Sequence, residues 1–126
     1  MDLIATTEAF IASWNRRDAA AIERAMHPDV VCTGIPLPAA HGRAAAMAML
    51  APFLEAEDID WQITAIAKSG SAVLIERTDR FRFKGSPWTT VRCAGVFRFD
   101  DAGSITTWTD YFDMAELVAA MPTGAD

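Results

Sequence analysis

The 126-residue sequence predicts an α+β fold, in which N-terminal helices pack on one face of a curved, mixed but mostly antiparallel sheet. Three observations carry this. Through residue 54, apolar side chains recur at the three-to-four spacing of amphipathic helices, with one short β-type segment between them. From residue 59 onward they alternate, in four long segments joined by Ser69-Gly70, Gly85-Ser86-Pro87 and Asp101-Ala102-Gly103. Two of those segments carry charged residues on their apolar side, which calls for a polar-lined pocket rather than a plain core. A long sheet twists and curls around its helices, leaving room for such a pocket between the two layers. One domain spanning residues 1–126 accounts for the length.

Leu3 to Asn15 sets Leu3, Thr7, Phe10, Ile11 and Trp14 on one helical face. Asp18 is placed to N-cap a second helix running to Ala25 or Met26, with Ile22 and Met26 inward. His27-Pro28-Asp29 ends it, because proline cannot continue the hydrogen-bond ladder. Val30–Thr33 reads as a short strand, and Gly34-Ile35-Pro36-Leu37-Pro38 as a loop that prolines hold extended. Ala44–Leu54 is the third helix, with Met47, Leu50, Phe53 and Leu54 as its apolar positions. Four strands follow: Ile59–Lys68, Ala72–Lys84, Trp88–Asp100 and Ser104–Phe112. Ala115–Met121 is a short terminal helix or coil.

The segment Ala72–Phe83 is the most informative. Side chains alternate along a strand, so Val73, Ile75, Arg77, Asp79, Phe81 and Phe83 share one side. Leu74, Glu76, Thr78, Arg80 and Arg82 occupy the other, mostly solvated side. The apolar side faces inward and takes Arg77 and Asp79 with it. In Ser104–Phe112, Trp108 and Phe112 likewise share their face with Asp110. Unpaired buried charge is costly, so these three groups must pair or line a cavity.

Composition excludes several classes. A net charge of −6 offers no overall positive footprint for nucleic acid. Arg77, Arg80, Arg82, Lys84, Arg92 and Arg98 alternate with apolar residues, and all of them except the inward Arg77 read as an outer sheet face. Apolar runs fall well short of the roughly 18 residues of a membrane span, and Met1-Asp2-Leu3 does not open a signal peptide. A cytoplasmic location is the expectation. Cys32 and Cys93 then read as small buried hydrophobes, not a disulfide. His27 and His41 stand apart and no Cys/His spacing fits zinc, so neither metal nor cofactor is expected. Thr90, Arg92, Ala94, Val96 and Arg98, flanked by Thr107, Thr109 and Tyr111, form a mixed outer face suited to a two-fold homodimer.

Several strings resemble the limonene-1,2-epoxide hydrolase family: Phe10-Ile11-Ala12-Ser13-Trp14, Gly34-Ile35-Pro36-Leu37-Pro38 with Gly42-Arg43, Glu76-Arg77-Thr78-Asp79-Arg80, Gly95-Val96-Phe97 and Trp108-Thr109-Asp110-Tyr111-Phe112-Asp113. The element order is similar to the cone-shaped fold of nuclear transport factor 2, ketosteroid isomerase and SnoaL-like polyketide cyclases. The resemblance implies a catalytic set of Asp110 as base for water, Asp79 as general acid on the epoxide oxygen, and Arg77 between them. It implies a small lipophilic epoxide as ligand, walled by Val73, Ile75, Phe81, Trp108 and Phe112, with Cys32, Gly34 and Leu37 at the same pocket. Where that family holds its water with a tyrosine and an asparagine, this chain has Cys32 and Gly34. Neither replaces those hydrogen bonds. A cofactor-free isomerase or cyclase, or a non-catalytic ligand-binding module, stands as the alternative.

Overall fold

Asp2 accepts a hydrogen bond from the Ala5 N–H at 3.0 Å and so starts helix α1 (Leu3–Asn15) in the computed structural model, which describes residues 1–122. Asp18 caps α2 (Ala19–Ala25) in the same way, from the Ala21 N–H at 3.1 Å. Both helices fall where the apolar spacing puts them. The buried face of α1 carries Leu3, Thr7, Phe10, Ile11, Ser13 and Trp14.

The next segment departs from expectation. Strand β1 (Met26–Ile35) is longer than Val30–Thr33 and includes His27-Pro28-Asp29. Those residues do end the helix, but they continue as an extended, irregular start to the strand. The register shift between Met26 and Val31 accommodates them, since Pro28 has no N–H for the ladder. Gly34 and Ile35 belong to this strand, and the Leu37 N–H donates to the Gly34 carbonyl at 2.6 Å. The proline loop therefore turns back instead of running extended. It leads to β2 (Ala40–His41), a two-residue strand with no sequence signal of its own.

Helix α3 (Arg43–Leu54) buries Ala46 and Leu50. Then come β3 (Asp58–Ser69), β4 (Ala72–Arg82), β5 (Trp88–Phe99), β6 (Ile105–Phe112) and α4 (Met114–Ala120). The six strands form one curved, unclosed sheet of order β2-β1-β6-β5-β4-β3. All neighbours are antiparallel except β1 and β6, which run parallel. A bulge between Ile63 and Ala65 bends β3 where the sheet curls over the helices.

The core lies between the helices and the concave face. Trp108 packs against Phe10, Phe97, Trp14 and Trp61 at ring-centroid distances of 5.2, 5.3, 6.0 and 6.4 Å. Burying side chains of this size stabilises by about 1.5–3 kcal/mol each. No helix among the described residues is long and apolar enough to cross a membrane.

Candidate active site

Arg77 is the hub. It projects inward from β4 and is 1% exposed, with its guanidinium 4.5 Å above the Trp61 ring. Its Nε donates to Asp79 Oδ1 at 2.9 Å and its Nη1 to Asp110 Oδ1 at 3.1 Å. Its Nη2 lies 2.7 Å from Asp79 Oδ2 and 2.8 Å from Asp110 Oδ2, with Cys93 Sγ at 3.3 Å. The planar fork thus grips one carboxylate along each edge, a geometry that lysine cannot reproduce.

Reaching Asp110 from β4 means crossing β5. Arg77 pairs with Cys93 on β5, whereas Asp110 on β6 pairs with Gly95. The inward face of β5 therefore runs large-small-small-large at Val91, Cys93, Gly95 and Phe97, and the guanidinium lies over the small pair. A Cβ at Gly95 would stand 2.6 Å from Asp110 Oδ1 and 3.0 Å from Arg77 Nη1. Only a glycine leaves that bond intact. Gly34, the other cross-strand neighbour of Asp110, faces the Phe112 ring, whose Cε1 would be 3.0 Å from an added Cβ.

The two carboxyl groups have different surroundings. Asp79 is buried, and burial raises its pKa. The charge and hydrogen bonds of Arg77 oppose that rise without cancelling it, and Asp110 adds to it. Asp110 keeps 17% of its side chain exposed and also accepts a 2.7 Å hydrogen bond from Trp108 Nε1. Three donors converge on it, two of them on Oδ1, so its open acceptor position is on Oδ2. For Arg77, burial works against the charged form, but the adjacent carboxylates prevail and raise its pKa far above the usual value. Burial, followed by the nearby Asp110 charge, pushes the Cys32 thiol up to about 12.

Asp110 faces a cavity of two lobes. The inner lobe, about 70 Å³, has Asp79, Trp14, Trp61, Phe81, Val91 and Cys93 in its wall. The outer lobe, about 80 Å³, has Cys32, Thr33, Gly34, Leu37 and Met49. Leu50, Phe53, Trp108, Asp110, Phe112 and Leu117 belong to both and form the waist.

Arg77, Asp79 and Asp110 thus meet in one cluster. Of the expected walls, Phe81, Trp108, Phe112, Cys32, Gly34 and Leu37 line the cavity. Val73 and Ile75 do not: they lie inward but farther along β4, in the packed core. His41 is exposed on β2 and lines neither lobe. Trp61, which was not singled out, completes the site together with Cys93, expected only as a buried hydrophobe, Gly95, expected only within a family string, and Trp108, expected as a wall but not as a hydrogen-bond donor to Asp110. The alternation of β5 placed Cys93 and Gly95 inward; their importance comes from cross-strand register. Among the described residues, no three His, Cys, Asp or Glu side chains cluster as a metal site would require.

The model of the limonene-1,2-epoxide hydrolase catalytic domain matches residues 1–123. Epoxide hydrolase EphG of Mycobacterium tuberculosis is 29% identical over 117 residues, covering 93% of this chain and 77% of that protein. The structure of an M. tuberculosis LEH-like epoxide hydrolase superposes with a TM-score of 0.80 at 28% identity, covering 94% of this chain and 88% of that one. An NTF2-like protein of Burkholderia pseudomallei K96243 gives a TM-score of 0.83 at 21% identity, over 98% and 99% of the two chains. The fold is NTF2-like.

Proposed function

The chain belongs to the limonene-1,2-epoxide hydrolase family, and from that membership we propose that it opens a small lipophilic epoxide with water in one acid–base step. The observation that carries this reading is the forked Arg77, which holds two carboxyl groups of unlike environment beside one aromatic cavity.

Asp79 is the general acid. It lies in the wall of the inner lobe, and its raised pKa keeps a proton available for the epoxide oxygen. Asp110 is the base, and its open Oδ2 position accepts a proton from water. As water oxygen bonds to an epoxide carbon, the carbon–oxygen bond on that carbon breaks. Asp79 protonates the departing oxygen and Asp110 takes the proton that water loses. One proton returned from Asp110 to Asp79 resets the site. Arg77 stays charged throughout and prevents the two carboxyl groups from repelling each other apart. The apolar lining favours a lipophilic ligand. The protein acts as a two-fold homodimer joined through the outer sheet face.

The test is a panel of cyclic and terminal epoxides assayed for diol formation. Asp110→Asn and Asp79→Asn should each lower kcat by at least about a hundredfold, the lower range for loss of a general acid or base. Full turnover by either variant would remove its residue from the mechanism.

The outer lobe favours a second reading. Apart from Asp110 and the Trp108 indole, whose N–H already donates to Asp110, the polar side chains in its wall are the Cys32 thiol, held protonated, and Thr33. Water there has few partners, so a hydroxyl carried by the substrate is the alternative nucleophile and a cyclic ether the product. Hydroxy-epoxides that cyclise faster than simple epoxides hydrolyse would favour this reading.

A further inference from the structure

Gly34 lies within β1 on a backbone that any residue can adopt: the glycines of positive φ are Gly42, Gly70, Gly85 and Gly103, and Gly34 is not among them. A glycine inside a strand weakens it, so its place there is explained by something that comes close. What comes close is the Phe112 ring. An added Cβ at Gly34 would stand 3.0 Å from Phe112 Cε1 and 3.4 Å from its Cζ, so the ring rests in the space that a side chain would fill. Phe112 is half-buried and lines both lobes. Gly34 belongs to the outer lobe, whereas Cys93, directly opposite Phe112 on β5, belongs to the inner one. The ring thus has a small residue on either side and is seated on one of them. Six aromatic side chains stand in the wall of the inner lobe. Trp14, Trp61, Trp108, Phe53 and Phe81 pack ring on ring, but Phe112 has no ring partner among the described residues.

We propose that Phe112 is the specificity-determining residue of this cavity, a partition between its lobes, and that Gly34 is the seat that keeps the partition open. Seated on Gly34, the ring leaves the lobes continuous at the waist beside Asp110, which shares its face of β6. Displaced from that seat, it would move over Cys93 or into the waist, and either movement narrows the way to the inner lobe. The lobes are nearly equal, about 70 and 80 Å³, and both are mainly apolar. The ligand that fits them has two arms: a polar centre at the waist within reach of Asp110, and an apolar arm in each lobe. That the polar centre is an epoxide rests on the reading proposed above. On that reading the reacting carbons lie at the waist, and the substrate class is an epoxide substituted on both carbons rather than a terminal one. The partition itself is tested by binding alone.

The experiment measures, by ligand-observed NMR, the affinities of symmetrical straight-chain secondary alcohols from diethyl carbinol to dipentyl carbinol. Each step lengthens both arms, and wild-type affinity should rise by up to about fifteenfold per step, the equivalent of two buried methylenes, until the lobes are full. Gly34→Val, a residue that strands favour, should end that rise at a shorter alcohol. Removing the ring in the double variant Gly34→Val/Phe112→Leu should restore the longer limit, which a merely structural defect at position 34 would not allow. Phe112→Leu alone keeps the strand glycine and should carry the rise past the wild-type limit. An unmoved limit in Gly34→Val, equal weakening of every alcohol, or no rescue by Phe112→Leu would overturn the partition. So would a wild-type limit in Phe112→Leu alone. The expected shifts without turnover of any epoxide would uphold the partition and sink the epoxide reading. Epoxide turnover with an unmoved limit in Gly34→Val would do the reverse.

Discussion

At position 95 a single methyl group decides whether the cluster can form. With Gly95→Ala, the new Cβ would meet Asp110 Oδ1 and Arg77 Nη1 inside van der Waals distance, and both belong to short, charged contacts. The expected result is a loss of about a hundredfold or more in kcat/KM, the usual consequence of an ångström-scale misplacement, and an altered pH profile in whatever activity remains. A fully active Gly95→Ala enzyme with the wild-type profile would mean that the Arg77–Asp110 contact is dispensable. Asp79 supports a second expectation. Its folded pKa is raised, so its contribution to stability is complete below the ordinary carboxylate value and is lost as pH rises through the folded value. Asp79→Asn should therefore gain stability relative to wild type as pH increases across that window. Paired thermal melts from acid to neutral pH check this, and a constant difference would contradict it. Strand alternation was sufficient to turn Arg77, Asp79 and Asp110 inward. It could not mark Gly95, Cys93 or Trp61, whose roles depend on which residue of the next strand lies opposite.

The elements follow hydrophobic period closely, and they depart from it where local chemistry misleads. His27-Pro28-Asp29 looks like a stop signal and does stop α2, yet β1 absorbs it through a register shift. The two-residue β2 is too short to have a period. Helix α4 is too short to distinguish from coil by sequence; Asp113 caps it locally, accepting from the Ala115 N–H at 2.8 Å, and a tertiary contact holds its end, where Thr89 donates to the Ala120 carbonyl at 3.1 Å. Glu116 accepts from the Arg92 backbone N–H at 3.0 Å and from its guanidinium, which lowers the Glu116 pKa to about 2. This tether is complete above the ordinary carboxylate range and is lost as pH falls through about 2. Leu117, the next residue, sits at the waist of the cavity. Glu116→Gln should loosen that wall, raising KM up to about fivefold as suits an exposed pair, with kcat nearly unchanged. Unchanged KM and unchanged hydrogen exchange in α4 would deny it a closing role.

Across the whole molecule, curvature separates two kinds of surface. The concave face carries the aromatic core and the charged cluster. The convex face is the mixed one, with Leu74 and Tyr111 at 45% and 49% exposure. Sedimentation at micromolar concentration should give a dimer, and Tyr111→Glu should give monomers; a wild-type monomer would refute the proposed assembly.

The central claim is that Asp110 activates water without ever forming a bond to the substrate. A single turnover with enzyme in excess, in ¹⁸O-labelled water, tests it most directly. The account requires one ¹⁸O in the diol from the first turnover and none in the Asp79 or Asp110 carboxyl groups. Unlabelled diol with ¹⁸O appearing in a carboxyl group would mean an ester intermediate and would contradict it.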